Sequence, residues 1–155
     1  MSTFHTLYLA SHSASRRNLL EASKLPCKIL KQEADESLIS RMQPLEDIVC
    51  QISSLKMKHV QLPSPNKDNE LCFVLTSDTM GITPAGRVLG KPKDRADAIR
   101  MLKECRQGSI TITGYCLRKL RSNNGQWDVL NEVIDFDAAD LIFHVPDPFI
   151  DFYLD

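Results

Sequence analysis

The segment FVLTSDTMGITPAGRVLGKP, running from Phe73 to Pro92, decides how the rest of the chain is read. It opens on a short apolar run, Phe73-Val74-Leu75, long enough for a strand buried on both faces. The run gives way to the polar triplet Ser77-Asp78-Thr79. A carboxylate just past a buried strand is poorly placed for packing and well placed for chemistry, because strand ends open onto crevices. Thr83-Pro84-Ala85-Gly86 then reads as a turn, and Gly90-Lys91-Pro92 supplies a permissive residue, a cation and a rigid stop. Asp78 and Lys91 are expected to face one site, the first managing a metal or a proton and the second a phosphate. The plain alternative is a loop with a solvated aspartate and lysine.

Towards the N-terminus, Thr6 to Ala10 reads as a first strand, followed by Ser11-His12-Ser13-Ala14-Ser15-Arg16-Arg17 and then a helical pattern through Leu19, Leu20 and Ala22. Ser13 or Ser15 is the natural N-cap. Arg16 and Arg17 fall in the first turn, where the helix dipole favours anions over cations. Two arginines there make sense if an anion sits between them and the free backbone N–H groups, with the Ser11, Ser13 and Ser15 hydroxyls as further donors. A solvated helix start is the competing reading. Cys27 to Gln32 is a second strand, leading into the acids Glu33, Asp35 and Glu36. They acquire meaning only near Asp78, since hard divalent cations are held by carboxylates and water. From Pro44 to Val60, Leu45, Ile48, Val49, Ile52 and Leu55 follow helical spacing, which puts Lys56 on the flank of the buried face. Such a lysine either snorkels to water, the commoner outcome, or reaches an anion.

Beyond a loop at 62–69, the stretch already quoted and Pro92, Asp94 caps a helix with Ala98, Met101, Leu102 and Cys105 facing inward. Gly108 ends it. Ser109 to Leu117 is a strand, Asn123-Asn124-Gly125 a hairpin turn, Trp127 to Phe136 the returning strand, and Leu141 to Val145 a last one. Asp147-Pro148 opens a final helix, Phe149 to Leu154. Helices alternate with strands early and give way to hairpin strands later, so the expected class is α/β with a mixed sheet.

Composition narrows the functional classes. The 155 residues suit one domain that can hold a core without disulfides. A net charge of −1 argues against a non-specific nucleic-acid binder or a polybasic membrane binder. No stretch approaches a membrane-spanning apolar run, and the N-terminus lacks the regions of a signal peptide. Cys27, Cys50, Cys72, Cys105 and Cys116 are scattered without a CxxC, as in a reducing cytoplasm, and the scattered histidines give no zinc spacing.

Taken in order, these pieces resemble the Maf family of nucleoside triphosphate pyrophosphatases, whose fold relates to that of inosine triphosphatases. Leu9 to Leu20 resembles the opening L-A-S-x-S-P-x-R-R-x-L-L, and Asp35-Glu36 is similar to the D-E pair. Lys56 falls at the lysine of an R-E-K-A helix. Thr76 to Thr79 matches G-[AS]-D-[TQ], Gly90 to Asp94 matches G-K-P-x-[DT], and Thr113-Gly114 resembles a threonine-glycine after the next helix. The resemblance implies a single Maf-like domain over 1–155, with a mixed twisted sheet flanked by helices. It implies hydrolysis of a nucleoside triphosphate to the monophosphate and pyrophosphate, dependent on Mg²⁺ or Mn²⁺. Asp78 would be the general base or metal-linked acid and Glu36 a metal ligand. Arg16, Lys56 and Lys91 would clamp the triphosphate, Ser11, Ser13, Ser15, Arg17 and Thr79 would contact it, and a homodimer is implied.

The sequence also departs from the pattern. Ala14 replaces the proline before the arginines. Ser15 is neither the arginine usual in dTTP- and UTP-preferring members nor the tryptophan usual in 7-methyl-GTP-hydrolysing ones. Thr79 resembles the first subgroup, whereas Ser77 and the Ile-Thr-rich strand are closer to the second. The stretch Gly108 to Gly114 is short of the usual spacing. The chain stops at Asp155, before the D-K-A-G-A-Y stretch that helps form the base pocket, so a truncated second lobe and weakened activity are expected. A degenerate homologue that binds nucleotide or a protein partner without turnover is the competing reading.

Overall fold

The computed structural model describes residues 5–155. They form two compact units: the first takes the chain up to Asp78 and then Gly114–Phe136, the second Thr79–Thr113 and Asp137–Asp155. Strands β1 (Thr6–Leu9), β2 (Cys27–Ile29), β3 (Leu71–Ile82), β5 (Ser109–Asn123) and β6 (Gln126–Leu141) lie in the order β2-β1-β3-β5-β6. The short β4 (Val88–Leu89) pairs antiparallel with the end of β3, which completes a six-stranded sheet among the described residues. β1 runs parallel to both neighbours, whereas β5 and β6 are joined as a hairpin, so the sheet is mixed as expected.

In the first unit, helices α1 (Ala14–Ala22) and α2 (Leu45–Lys58) accompany the sheet. The core gathers Tyr8, Cys72, Val74, Cys116 and Leu120 from three adjacent strands under Met57 of α2. α2 forms where its charges suit the dipole, with Glu46 and Asp47 in the first turn and Lys56 and Lys58 in the last. Its contact with β5 is made at Gly114. A β-carbon there would lie 2.5 Å from the Val49 carbonyl carbon and 2.7 Å from the Cys50 nitrogen, so helix backbone rests directly on strand backbone. Buried hydroxyls fasten the same contact. Ser53 Oγ reaches Val49 O at 2.7 Å and Gly114 O at 2.9 Å, and Thr76 Oγ1 donates to Ser53 O at 2.7 Å. Ser53→Ala is therefore expected to lower stability by about 1 kcal/mol, read as a shift of the urea midpoint with unchanged m-value.

The hairpin turn falls where Asn123-Asn124-Gly125 placed it. Asn124 (φ 50°) and Gly125 (φ 76°) both adopt the left-handed conformation that the two-residue primed turn requires. In the second unit, α3 (Arg95–Glu104) is capped by Asp94, whose carboxylate accepts from Asp97 N at 2.8 Å. Its core joins Leu89, Cys105, Phe143 and Ile150, the last from α4 (Ile150–Leu154).

Three expectations are corrected. β3 does not stop before Asp78 but continues through it to Ile82 beside β5, with β4 as an antiparallel partner for Gly81 and Ile82. Val74 and Cys72 are fully buried while Phe73 and Leu75 are half-buried, so the strand is buried on one face rather than both. Leu141 to Val145 is not a separate strand. β6 ends at Leu141, and Phe143 N donates to Cys105 O at 3.1 Å while its ring joins the second core.

Candidate functional site

The strand end nearest Asp78 is that of β1, not of β3. Leu9 pairs with Leu75 and Ala10 N donates to Leu75 O at 3.0 Å, after which the first strand stops. β3 runs on beyond that point. Thr76, Ser77 and Asp78 therefore pass the carboxyl end of β1, the position at which parallel sheets offer crevices. The chain leaving β1 turns there into Ser11 and α1.

Ser13 is the N-cap of α1, its Oγ accepting from Arg16 N at 3.4 Å. Ser11 is buried, and its Oγ accepts from Ser13 N at 3.2 Å and from Arg16 Nη1 at 3.3 Å. Arg16 thus folds back over the helix start, and the acids Asp78 and Glu36 offset the unfavourable end of the dipole. Burial pushes its guanidinium below the usual arginine value, against an upward pull from Asp78 and Glu36. Those two acids are its electrostatic neighbours. Ser15 and Arg17, by contrast, are exposed.

Lys56 stands at the centre. Its Nζ lies 2.8 Å from Asp78 Oδ1 and 2.9 Å from Glu36 Oε1, and 3.5 Å from Ser77 O. The lysine side chain is 9% exposed and the Asp78 side chain 14%, so this ammonium does not snorkel. It is retained inside because two carboxylates meet it there. Glu36, 40% exposed, arrives on a single 3₁₀ turn, Glu36–Leu38. Asp35 caps that turn through Ser37 N at 3.0 Å and the Ser37 hydroxyl at 2.6 Å. These bonds, the hydroxyl's first, hold the Asp35 carboxyl below the usual range. Of the paired acids, one shapes the turn and the other reaches the cluster.

The structure thus brings together Ser11, Arg16, Glu36, Lys56 and Asp78 in the first unit. Thr79 and Lys91 belong to the second unit. Thr79 Oγ1 lies 3.0 Å from Thr113 Oγ1, and Lys91 is exposed in the bend after β4. Ser53, missed by sequence reasoning, joins Thr76 and Gly114, read there only as motif positions, in fixing the helix that carries Lys56. Thr113-Gly114 was legible as a motif, but its use as a backbone contact was not.

No three His, Cys, Asp or Glu among the described residues gather into a metal cage. A hard cation shared with phosphate needs less, since Mg²⁺ commonly keeps its waters and takes only one or two carboxylates. Glu36 and Asp78, turned to one ammonium, fit that donor set. No helix among the described residues is long and apolar enough to cross a membrane.

Fold and site together define a mixed α/β protein with a charge-balanced acidic and basic cluster beyond the end of a parallel strand. The chain belongs to the Maf-like protein family, whose family model matches residues 6–154. It is 30% identical over 152 residues to a protein of Alkaliphilus oremlandii (strain OhILAs) named dTTP/UTP pyrophosphatase, a match covering 96% of this chain and 71% of that protein. It is 33% identical over 117 residues to a nucleoside triphosphate pyrophosphatase of Synechococcus sp. (strain CC9605), covering 73% and 61% of the two chains. A 7-methyl-GTP pyrophosphatase of Nitrosococcus oceani (strain ATCC 19707 / BCRC 17464 / JCM 30415 / NCIMB 11848 / C-107) is 33% identical over 113 residues, covering 72% and 53%.

Proposed function

We propose that this protein hydrolyses nucleoside triphosphates to the nucleoside monophosphate and pyrophosphate. The observation that carries the reading is the meeting of Glu36, Lys56 and Asp78 beside Arg16 in a member of the Maf-like family. Relatives bearing three different pyrophosphatase names support the reaction and leave the base open.

Attack at a polyphosphate requires that its charge be neutralised and a water deprotonated alongside. Arg16 offers a fork suited to phosphate oxygens, Lys56 a point charge, and Ser11 and Ser13 hydroxyls line the approach. Asp78, fixed in the sheet, is the residue assigned to the attacking water's proton. A divalent cation, Mg²⁺ or Mn²⁺, would be held by Glu36 and Asp78 and would supply charge neutralisation at the phosphates. Ser15, Arg17, Thr79 and Lys91 keep the substrate-contacting roles that motif resemblance gives them. A single family domain, a cytoplasmic setting and a homodimer are part of the same reading.

Pyrophosphate release from dTTP, UTP, 7-methyl-GTP and the common nucleotides, with Mg²⁺ or Mn²⁺, tests it. Turnover of at least one nucleotide is expected. Binding without release of pyrophosphate from any of them would leave a nucleotide-binding homologue instead.

A further inference from the structure

We infer that Lys56 is the resident counter-ion of the Glu36–Asp78 pair, and that a divalent cation enters this site only together with a polyphosphate. The polyphosphate half of this inference rests on the reading proposed above. The starting point is geometric: Nζ of Lys56 sits 2.9 Å from one carboxylate and 2.8 Å from the other, the seat a bridging cation would take. The two cations cannot share it.

Charge supplies the second argument. Glu36 and Asp78 carry two negative charges, and Lys56 and the neighbouring Arg16 two positive ones. A bare divalent cation therefore meets a neutral cluster and must shed water without gaining net attraction. A polyphosphate changes this by offering Lys56 and Arg16 another anionic partner. The ammonium can then leave the carboxylates to the metal, and nucleotide and cation assist each other's binding reciprocally.

The surroundings limit how the exchange occurs. α2 is anchored through the Gly114 contact and the Ser53 and Thr76 hydrogen bonds, so its backbone at Lys56 has little room to withdraw. The movement is left to the lysine side chain and to Glu36, which is exposed on its single turn, while Asp78 stays with the sheet. Lys56 acts here as a positioning residue for both carboxylates.

The test is calorimetric titration of wild type and Lys56→Met with Mn²⁺ alone, then of wild type with an α,β-methylene nucleoside triphosphate with and without Mn²⁺. Folding of the variant is checked by thermal melting. Mn²⁺ alone should bind Lys56→Met at least roughly tenfold more tightly than wild type, because one buried positive charge has been removed from the seat. The analogue should bind wild type at least roughly tenfold more tightly with Mn²⁺ than without. Equal Mn²⁺ affinity in wild type and variant overturns the inference. Should the variant fail to fold, wild type decides: Mn²⁺ binding as tightly without the analogue as with it, after correction for metal held by free analogue, overturns it too. Failure of the pyrophosphatase reading shows separately, as absence of pyrophosphate from every hydrolysable nucleotide.

Discussion

Asp78→Asn is expected to lower kcat for pyrophosphate release by roughly two to four orders of magnitude, the usual contribution of a positioned acid or base. KM should change much less, since the lost interaction belongs to the transition state. The side chain is 14% exposed and held 2.8 Å from Lys56, so the carboxylate is fixed in place by the sheet and the ammonium. Asparagine keeps the shape and an acceptor for the ammonium but cannot take a proton. Glu36 remains beside Lys56 at 2.9 Å, so the buried ammonium keeps one charged partner. The stability loss should stay below the roughly 3–5 kcal/mol seen when a buried pair is broken outright. Steady-state kinetics alongside thermal melting separates the two effects. A variant with wild-type kcat would remove Asp78 from the chemistry.

Gly114→Ala should be the most damaging conservative change to the fold. The added methyl would lie 2.5–2.7 Å from backbone atoms of Val49 and Cys50, which have no rotamer by which to escape. Either α2 lifts from β5 or β5 bends. Overpacking commonly costs about 1–3 kcal/mol, and backbone contact places this case at the upper end or beyond. For a chain of this size that corresponds to a fall in Tm of roughly 6–12 °C. Because α2 also carries Lys56, kcat/KM should fall in the surviving folded fraction. A change within 0.5 kcal/mol in chemical denaturation would show that the helix does not depend on this close approach.

Much of the layout was legible because it rests on local chemistry. Ser13 capping α1, Asp94 capping α3 and the Asn124-Gly125 turn each depend on residues within a few positions. The α/β class followed from the alternation of helical and strand periodicities, and the mixed sheet confirms it. The reach of β3 through Asp78 was not legible. It rests on the neighbouring β5 and, for Gly81 and Ile82, on β4, a two-residue partner too short to announce itself by periodicity. The strand attributed to Leu141–Val145 had suitable residues, but Phe143 is drawn into the second core instead. Within the candidate site, Arg16 stood out as a cation at the wrong end of a helix, and Asp78 as a carboxylate beside an apolar run. Lys56 was ambiguous, because a flanking lysine snorkels unless something inside holds it.

By itself, then, the sequence determined the helix caps, the hairpin turn and the α/β class, and which residue types are available for phosphate and metal chemistry. Those choices are made over a few residues by caps, periodicity and turn geometry. Only the tertiary structure decided that Lys56 is buried between Glu36 and Asp78, that Asp78 lies past the point where β1 stops, and that Gly114 must have no side chain. Each joins residues 20 or more positions apart, and their meeting depends on how the sheet orders its strands and how closely α2 settles on it. Burial then raises the stakes, because an ammonium withdrawn from water has to find its counter-charges inside.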